Sequence, residues 1–220
     1  MGSITRSFAN NIGSSGILTA SAVTNATIED VTSFDNAAST ATLVLLSTQT
    51  ASASATISFT TGLDSTYDEY IFKFINIHPA TDDVQFEFNM STDGGSNYNV
   101  TKTTTYFESY HDEADTQTGI GYQTTKDLAQ STSFQRLFHS TGNGADENSS
   151  GTLTIFNPSS TTYVKHFIMS GMHNASYDYA LNDTIAGYGN TTSAVNAIRF
   201  QMSSGNIDDG VIKLYGVKKS

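Results

Sequence analysis

The fold class is decided by residues 197–217, AIRFQMSSGNIDDGVIKLYGV. Apolar and polar residues alternate in Ala197–Met202 and again in Val211–Val217, which is the period of a β-strand with one buried face. Gly205-Asn206 and Asp209-Gly210, which lie between the two segments, are typical turn sequences. The pattern therefore predicts a hairpin of two antiparallel strands that completes a larger sheet.

Similar segments recur upstream, beginning at about Leu43. The clearest of them are Ala55–Thr60, Tyr70–Ile77, Val84–Met90, Gly151–Asn157 and Tyr163–Met172. Tyr70–Ile77 is apolar at nearly every position, which predicts a central strand buried on both faces. Helical periodicity is almost absent, and the one alternative to strand or loop is a short helical turn within the irregular segment 111–132. Regularly spaced strands of this kind predict an all-β fold, an antiparallel β-sandwich of jelly-roll-like type.

Composition and charge exclude several partners. The 220 residues include 10 basic and 21 acidic ones, for a net charge of −11, and no cysteine. Nucleic acids and anionic membrane surfaces both require a basic footprint, so neither is an expected partner. The longest apolar run, Leu43–Leu46, is far shorter than the roughly 18 residues of a membrane span, so no membrane insertion is expected. Without cysteine there is no disulfide, thiolate metal site or cysteine nucleophile.

Residues 1–40 differ from the remainder, residues 41–220, because single aliphatic residues are scattered among small polar ones. Such a segment cannot bury a core of its own. One interpretation is a solvated tail, and the favoured one is an extended arm for docking or oligomerisation that precedes the β domain. Its candidate anchors are Phe8, Ile12, Ile17, Leu18, Val23, Ile28, Val31 and Phe34.

The densest group of ionisable residues spans 108–115. Asp112, Glu113 and Asp115 are candidate ligands of a divalent cation, since carboxylate oxygens suit calcium. A catalytic carboxylate pair and a solvated acidic loop are the alternatives, and the solvated loop is favoured. No catalytic residue is assigned, the protein is expected to be non-enzymatic, and no cofactor is expected apart from the alternative of a structural divalent cation.

The five histidines form no ligand motif along the chain. His166 and His173 lie seven residues apart in a predicted strand and therefore on opposite faces. A zinc site would have to be assembled by folding from distant positions.

Tyrosines in or beside predicted loops are candidate glycan contacts, because their rings stack on sugars and also anchor protein interfaces. Half-buried strand packing is the alternative interpretation. The candidates are Tyr98, Tyr110, Tyr122 and Tyr188.

Several stretches together resemble a family of small virion structural proteins of marine tailed bacteriophages, which infect cyanobacteria and other abundant ocean bacteria. The stretches are Gly62–Tyr70, Asn76–Asp82, Tyr110–Asp115, Asp127–Gln130, Phe156–Thr162 and Ser203–Ile207. Ser7–Ile12 and Gly16–Leu18 also resemble the starts of tail-associated proteins of such phages. The resemblance covers about residues 55 to 217 and supplies no functional residues.

The resemblance implies a jelly-roll-like domain without catalysis, placed on the phage particle and often homotrimeric. The expected function is a tail-associated or fibre protein, made in the host bacterial cytoplasm, whose partners are itself and other virion proteins of tail or capsid. A capsid decoration protein is the first alternative. A carbohydrate-binding module that recognises a host surface glycan is the second.

Overall fold

A computed structural model describes residues 42–219, and these residues form strands and loops without a helix. The strands are β1 (Leu43–Thr50), β2 (Ile57–Phe59), β3 (Glu69–Pro79), β4 (Val84–Ser91), β5 (Lys102–Asp112), β6 (Thr118–Tyr122), β7 (Gln135–Thr141), β8 (Ser149–Phe156), β9 (Lys165–Ala175), β10 (Tyr179–Gly189), β11 (Ala197–Met202) and β12 (Ile207–Val217). The predicted all-β class is confirmed. A hydrogen-bonded turn from Gln123 to Lys126 takes the place of the helical turn considered within 111–132.

The strands pair antiparallel in two arrays. The order β1-β12-β3-β8-β9-β10-β5-β6 forms the eight-strand array, and β7-β4-β11-β2 forms the four-strand array. One residue pair, Thr141 with Ala175, connects β7 to β9 and so joins the arrays into a single sheet. This sheet is nearly closed on itself like a barrel, which differs from the two separate sheets of the predicted jelly-roll-like sandwich.

The predicted C-terminal hairpin is wrong. β11 pairs with β4 and β2, whereas β12 pairs with β3 and β1, so the two strands lie in different arrays. Both strands bury alternate residues in the same core, and the exposed turn Ser203–Asn206 carries the chain from one array to the other. Asp209-Gly210 is not a turn but a bulge inside β12, where Gly210 has a φ of 124° and the register with β3 shifts.

The prediction that Tyr70–Ile77 is buried on both faces is also wrong. β3 is central, between β12 and β8, but only one of its faces is buried, through Tyr70, Phe72, Phe74 and, after the register shift that follows Phe74, Ile77. Ile75 on the other face is 38% exposed, because no element among the described residues covers that side of the sheet.

The core lies between the arrays and consists mainly of phenylalanine. Phe200 of β11 contacts Phe72 and Phe74 of β3 edge-to-face, each at a centroid distance of 5.2 Å. It also stacks with Phe86 of β4 at 5.8 Å. These contacts fix the relative position of the two arrays, including the point where β7 meets β9.

The predicted arm and its anchors lie outside the described residues. The arm therefore stays a prediction, and so does the domain boundary near residue 40.

Candidate functional site

Three ionisable side chains meet where the two arrays join. His139 belongs to β7, His173 to β9 and Asp183 to β10, close to the Thr141–Ala175 pair. His173 and Asp183 are fully buried, and His139 is 7% exposed. We call His139, His173 and Asp183 the junction cluster.

The ligand atoms of the junction cluster face one another. His173 Nδ1 lies 3.3 Å from Asp183 Oδ2, and His139 Nδ1 lies 3.9 Å from Asp183 Oδ1. One ligand atom from each side chain falls within 4.8 Å of the other two. Two imidazoles and a carboxylate in this arrangement are able to hold a transition-metal ion.

The backbone fixes the orientation of His173. Its Nε2 lies 2.5 Å from the carbonyl oxygen of His139. A carbonyl oxygen only accepts hydrogen bonds, so Nε2 of His173 must carry a proton and donate it. The neutral form of His173 therefore presents an unprotonated Nδ1 to Asp183.

His139 connects the cluster to a neighbouring ion pair. Lys126 Nζ donates to Glu108 Oε2 at 2.5 Å and lies 2.7 Å from His139 Nε2, which is 3.3 Å from the same Glu108 oxygen. Burial, followed by the positive charge of Lys126, lowers the pKa of His139 to about 3. His139 is thus neutral, and because the Lys126 ammonium only donates, Nε2 accepts from it and the ring proton lies on Nδ1.

Polar atoms at the centre of the cluster lack hydrogen-bond partners. They are His139 Nδ1, His173 Nδ1, both carboxylate oxygens of Asp183 and the hydroxyl of the neighbouring Tyr106. Burial and the Asp183 charge raise the pKa of Tyr106 well above its ordinary value, so its hydroxyl stays protonated. Unpaired polar atoms in a fully buried site are costly, and in native structures each requires an explanation.

A cleft leads from the surface toward the cluster. It has a volume of about 230 Å³, and Glu108 forms part of its wall beside tyrosine rings. Tyr179 contacts Tyr177 and Tyr110 at centroid distances of 4.9 and 5.6 Å. The Tyr177 hydroxyl lies 3.4 Å from His139 Nε2, so the cleft ends at the edge of the cluster.

A second feature is the outward side of the eight-strand array. On β5, β6, β8, β9 and β10 the outward positions are the odd-numbered residues of β5 and the even-numbered residues of the other four. None of these positions holds Asp, Glu, Lys or Arg, although the chain has 31 such residues (10 basic plus 21 acidic). We call this surface the uncharged face.

The uncharged face is also rich in exposed apolar side chains. Of eleven large hydrophobic residues exposed among the described ones, six lie on it, namely Phe107, Ile120, Tyr122, Phe156, Ile168 and Met172. A shallow groove of about 420 Å³ crosses it between Phe156, Ile168 and Tyr188. Contiguous apolar surface of this kind marks an interaction site in soluble proteins.

The acidic residues predicted as cation ligands have local partners. Asp112 accepts backbone hydrogen bonds from Thr116 and Gln117 at 2.8 and 2.7 Å, and hydrogen bonds from these two residues lower its pKa. Asp115 pairs with His111 at 3.2 Å on the surface, and Glu113 is exposed. The structure does not bring these carboxylates together into a buried site.

The four predicted tyrosines are dispersed. Tyr110 lines the cleft beside Glu108, and Tyr188 lies on the uncharged face opposite His166. Tyr122 donates a hydrogen bond to Asp127 at 2.5 Å, and the Arg199 guanidinium lies 4.0 Å above the Tyr98 ring. Only Tyr110 therefore lies beside the cleft and the junction cluster.

The sequence offered one signal for the junction cluster. Asp183 alternates with Leu181 and Ile185 in β10, and a carboxylate at an inward position of a strand requires a buried partner. His166 and His173 do lie on opposite faces, as predicted, and only His173 points inward. The pairing of His173 with His139 was not predictable, because the two residues lie 34 positions apart on strands of different arrays.

Comparisons with protein-family models, with curated proteins and with solved structures return no significant match. Residues 42–219 contain no helix that could cross a membrane. Function therefore has to be inferred from the described residues and from the sequence resemblance.

Proposed function

We propose that this protein is a non-enzymatic structural component of a tailed-phage virion, a tail-associated or fibre protein that forms homo-oligomers through the uncharged face. The homotrimer and the place on the particle come from the sequence resemblance. A capsid decoration role is the alternative within the same class. The observation that carries the assembly part is the absence of charged residues from the outward positions of five adjacent strands.

A second copy of the chain is the occupant that fits this face. At a net charge of −11, most surfaces of two approaching copies repel each other. The uncharged face is a surface on which copies meet without burying an unpaired charge. From strand spacing and rise it measures about 700 Å², close to the roughly 800 Å² that each partner buries in a standard interface.

The apolar residues on the face supply the attraction. Ile168 and Met172 of β9, beside the central strand β10, are 49% and 52% exposed, and Ile120 at the margin is 81% exposed. Residues of this kind at the centre of an interface contribute most of the binding energy. Threonine, serine and asparagine at the intervening outward positions provide hydrogen-bonding groups without charge.

We expect Ile168→Glu to weaken self-association of the full chain at least tenfold, because each interface would then bury a carboxylate without a partner. Ser204→Glu, in the exposed turn between β11 and β12, makes the same change in net charge and serves as the control. The measurement is mass by sedimentation velocity over a concentration series. A wild-type chain that is monomeric throughout, or two variants with the same association constant, would contradict the proposal.

The virion role is tested on particles. Immunogold electron microscopy with an antibody against residues 42–219 should label purified phage particles at the tail. Label on the shell would assign the decoration role instead, and particles without label would exclude both roles.

Carbohydrate recognition is the second candidate, and the tyrosine-lined cleft favours it. Tyr110, Tyr177 and Tyr179 surround a space of about 230 Å³ that also contains the polar groups of Glu108 and Gln117. Aromatic rings beside a few fixed polar groups are typical of small-ligand sites.

On a glycan array, Tyr179→Ala should lose most of any signal that the wild-type chain gives, because Tyr179 contacts both neighbouring rings. Tyr163→Ala, which removes a ring that is 71% exposed outside the cleft, should retain the signal. A wild-type chain that binds no glycan at millimolar concentration would remove this candidate.

A further inference from the structure

We propose that the junction cluster is a binding site for one divalent transition-metal ion of the zinc type, held by Nδ1 of His139, Nδ1 of His173 and the carboxylate of Asp183. The site is independent of the uncharged face and of the proposed assembly through it. It would be a structural metal site that fastens the two arrays together.

The hydrogen bonding of His173 provides the first argument. Its Nε2 proton is donated to the His139 carbonyl, so a neutral His173 directs the lone pair of Nδ1 toward an Asp183 oxygen 3.3 Å away. Two acceptors facing each other in a dry site repel. A cation between them turns the repulsion into two ligand bonds.

The burial of Asp183 provides the second argument. Its side chain is fully inaccessible, and neither oxygen has a partner at ordinary hydrogen-bond geometry. The Tyr106 hydroxyl interacts with Asp183, but a neutral hydroxyl does not balance the carboxylate charge. The nearby Lys126 ammonium is already paired with Glu108 at 2.5 Å. The carboxylate charge of Asp183 therefore needs another positive charge, and a metal ion at the centre of the cluster supplies it.

The spacing of the ligand atoms fits a small ion. Zinc bonds to nitrogen and oxygen are about 2.0–2.2 Å long, which places neighbouring ligand atoms roughly 3.0–3.6 Å apart. The separations from Asp183 are 3.3 and 3.9 Å, and all three ligand atoms lie within 4.8 Å of one another. Binding would therefore draw His139 toward His173 and Asp183. A water molecule would complete the coordination that three protein ligands leave open.

The surroundings of His139 fit the second shell of a metal site. With Nδ1 on the metal, the ring proton is carried by Nε2, which lies 3.3 Å from Glu108 Oε2. A carboxylate that accepts the remote proton of a ligand histidine is the usual orienting partner. Lys126 then keeps its bond to Glu108 and turns away from Nε2, and the cleft beside Glu108 provides the entry path.

The position of the cluster gives the ion a structural role. The ladder between β7 and β9 consists of the single pair Thr141–Ala175. An ion bound by β7, β9 and β10 together would fasten that connection, and its binding free energy would add to the stability of the folded state.

The competing explanation is a proton instead of a metal, with His173 as an imidazolium that donates from both nitrogens. The two explanations differ in the state of the His173 ring. The metal leaves Nδ1 without a proton, whereas the imidazolium carries protons on both nitrogens.

The test uses the full chain, stripped with a chelator and titrated with Zn²⁺ and Co²⁺ by calorimetry. We expect about one equivalent to bind, a rise in Tm of several degrees, and reversal by chelator. Asp183→Asn should lower the affinity at least a hundredfold. His166→Asn removes an exposed histidine from the same strand and should bind metal as the wild type does.

Nitrogen NMR of the histidine rings of the wild-type chain completes the test and does not depend on the folding of any variant. A His173 Nδ1 that loses its proton and shifts on addition of Zn²⁺ supports the proposal. A wild-type chain that binds neither metal, an Asp183→Asn chain that binds as tightly as the wild type, or a doubly protonated His173 in excess Zn²⁺ would each overturn it.

Discussion

Phe200→Ala is expected to lower the free energy of unfolding by about 4 kcal/mol, the range for removing a fully buried phenylalanine ring. Phe200 is inaccessible to solvent and contacts five other phenylalanine rings at centroid distances between 5.2 and 6.4 Å. Phe72 and Phe74 among them belong to β3 in the opposite array. Alanine leaves a cavity between the arrays, which should lower Tm by roughly 10 °C.

Denaturant unfolding measures this effect. Tyr163→Ala removes a ring that is 71% exposed, and it should stay within about 0.5 kcal/mol of the wild type. If Phe200→Ala cost no more than this control, Phe200 would not be the packing centre described above.

The second large effect concerns Lys102, a lysine that is fully buried without a carboxylate partner. Its Nζ donates to Asn89 Oδ1 at 2.5 Å and to the Val100 carbonyl at 2.8 Å. Burial lowers the pKa of Lys102 from 10.5 to about 7. Between these two values the unfolded chain holds a proton that the folded chain has released, so raising the pH favours folding.

Lys102 should therefore make the wild-type chain about 2 kcal/mol more stable at pH 9 than at pH 7, apart from the contributions of other groups. Lys102→Met removes this contribution. The free energy of unfolding of the variant should therefore rise between pH 7 and pH 9 by about 2 kcal/mol less than that of the wild type. Lys213→Met is the matched control at a half-exposed position of β12. The measurement is the free energy of unfolding in urea at pH 7 and at pH 9. An equal increase between the two pH values for the wild type and for Lys102→Met would show that Lys102 is not buried as a free amine.

The final stretch of the chain shows how far the sequence predicts the fold. The alternation in residues 197–217 correctly predicted two strands and their inward residues. Alternation identifies which face is buried but not which strand lies alongside. Two strands that each bury one face in the same core show the same alternation whether they pair with each other in a hairpin or lie in opposite arrays. The positions of Ile198 and Phe200 therefore predicted the buried face of β11. That β11 pairs with β2 and β4 is visible only in the structure.

The sequence pattern could not predict the junction cluster for a related reason. Asp183 was recognisable as a carboxylate at an inward position, but its partners His139 and His173 lie on β7 and β9, and alternation does not show that these strands meet beside Asp183. Asp112, Glu113 and Asp115 attracted attention because they are adjacent along the chain. Adjacency in a loop gives these carboxylates water and turn amides as partners, whereas a buried site requires convergence from separate strands.

The position of β12 has a consequence for synthesis on the ribosome. β12 lies between β1 and β3, so strands near the start of the described sheet wait for a strand that is translated after all the other described ones. Until then β3 has one unpaired edge, which is a template for association with other nascent chains. The complete sheet therefore forms only after β12 has left the ribosome, and it depends on contacts distant in sequence, a regime in which chains fold slowly. Termination before Ile207 would leave eleven of the twelve described strands without the one that joins β1 to β3.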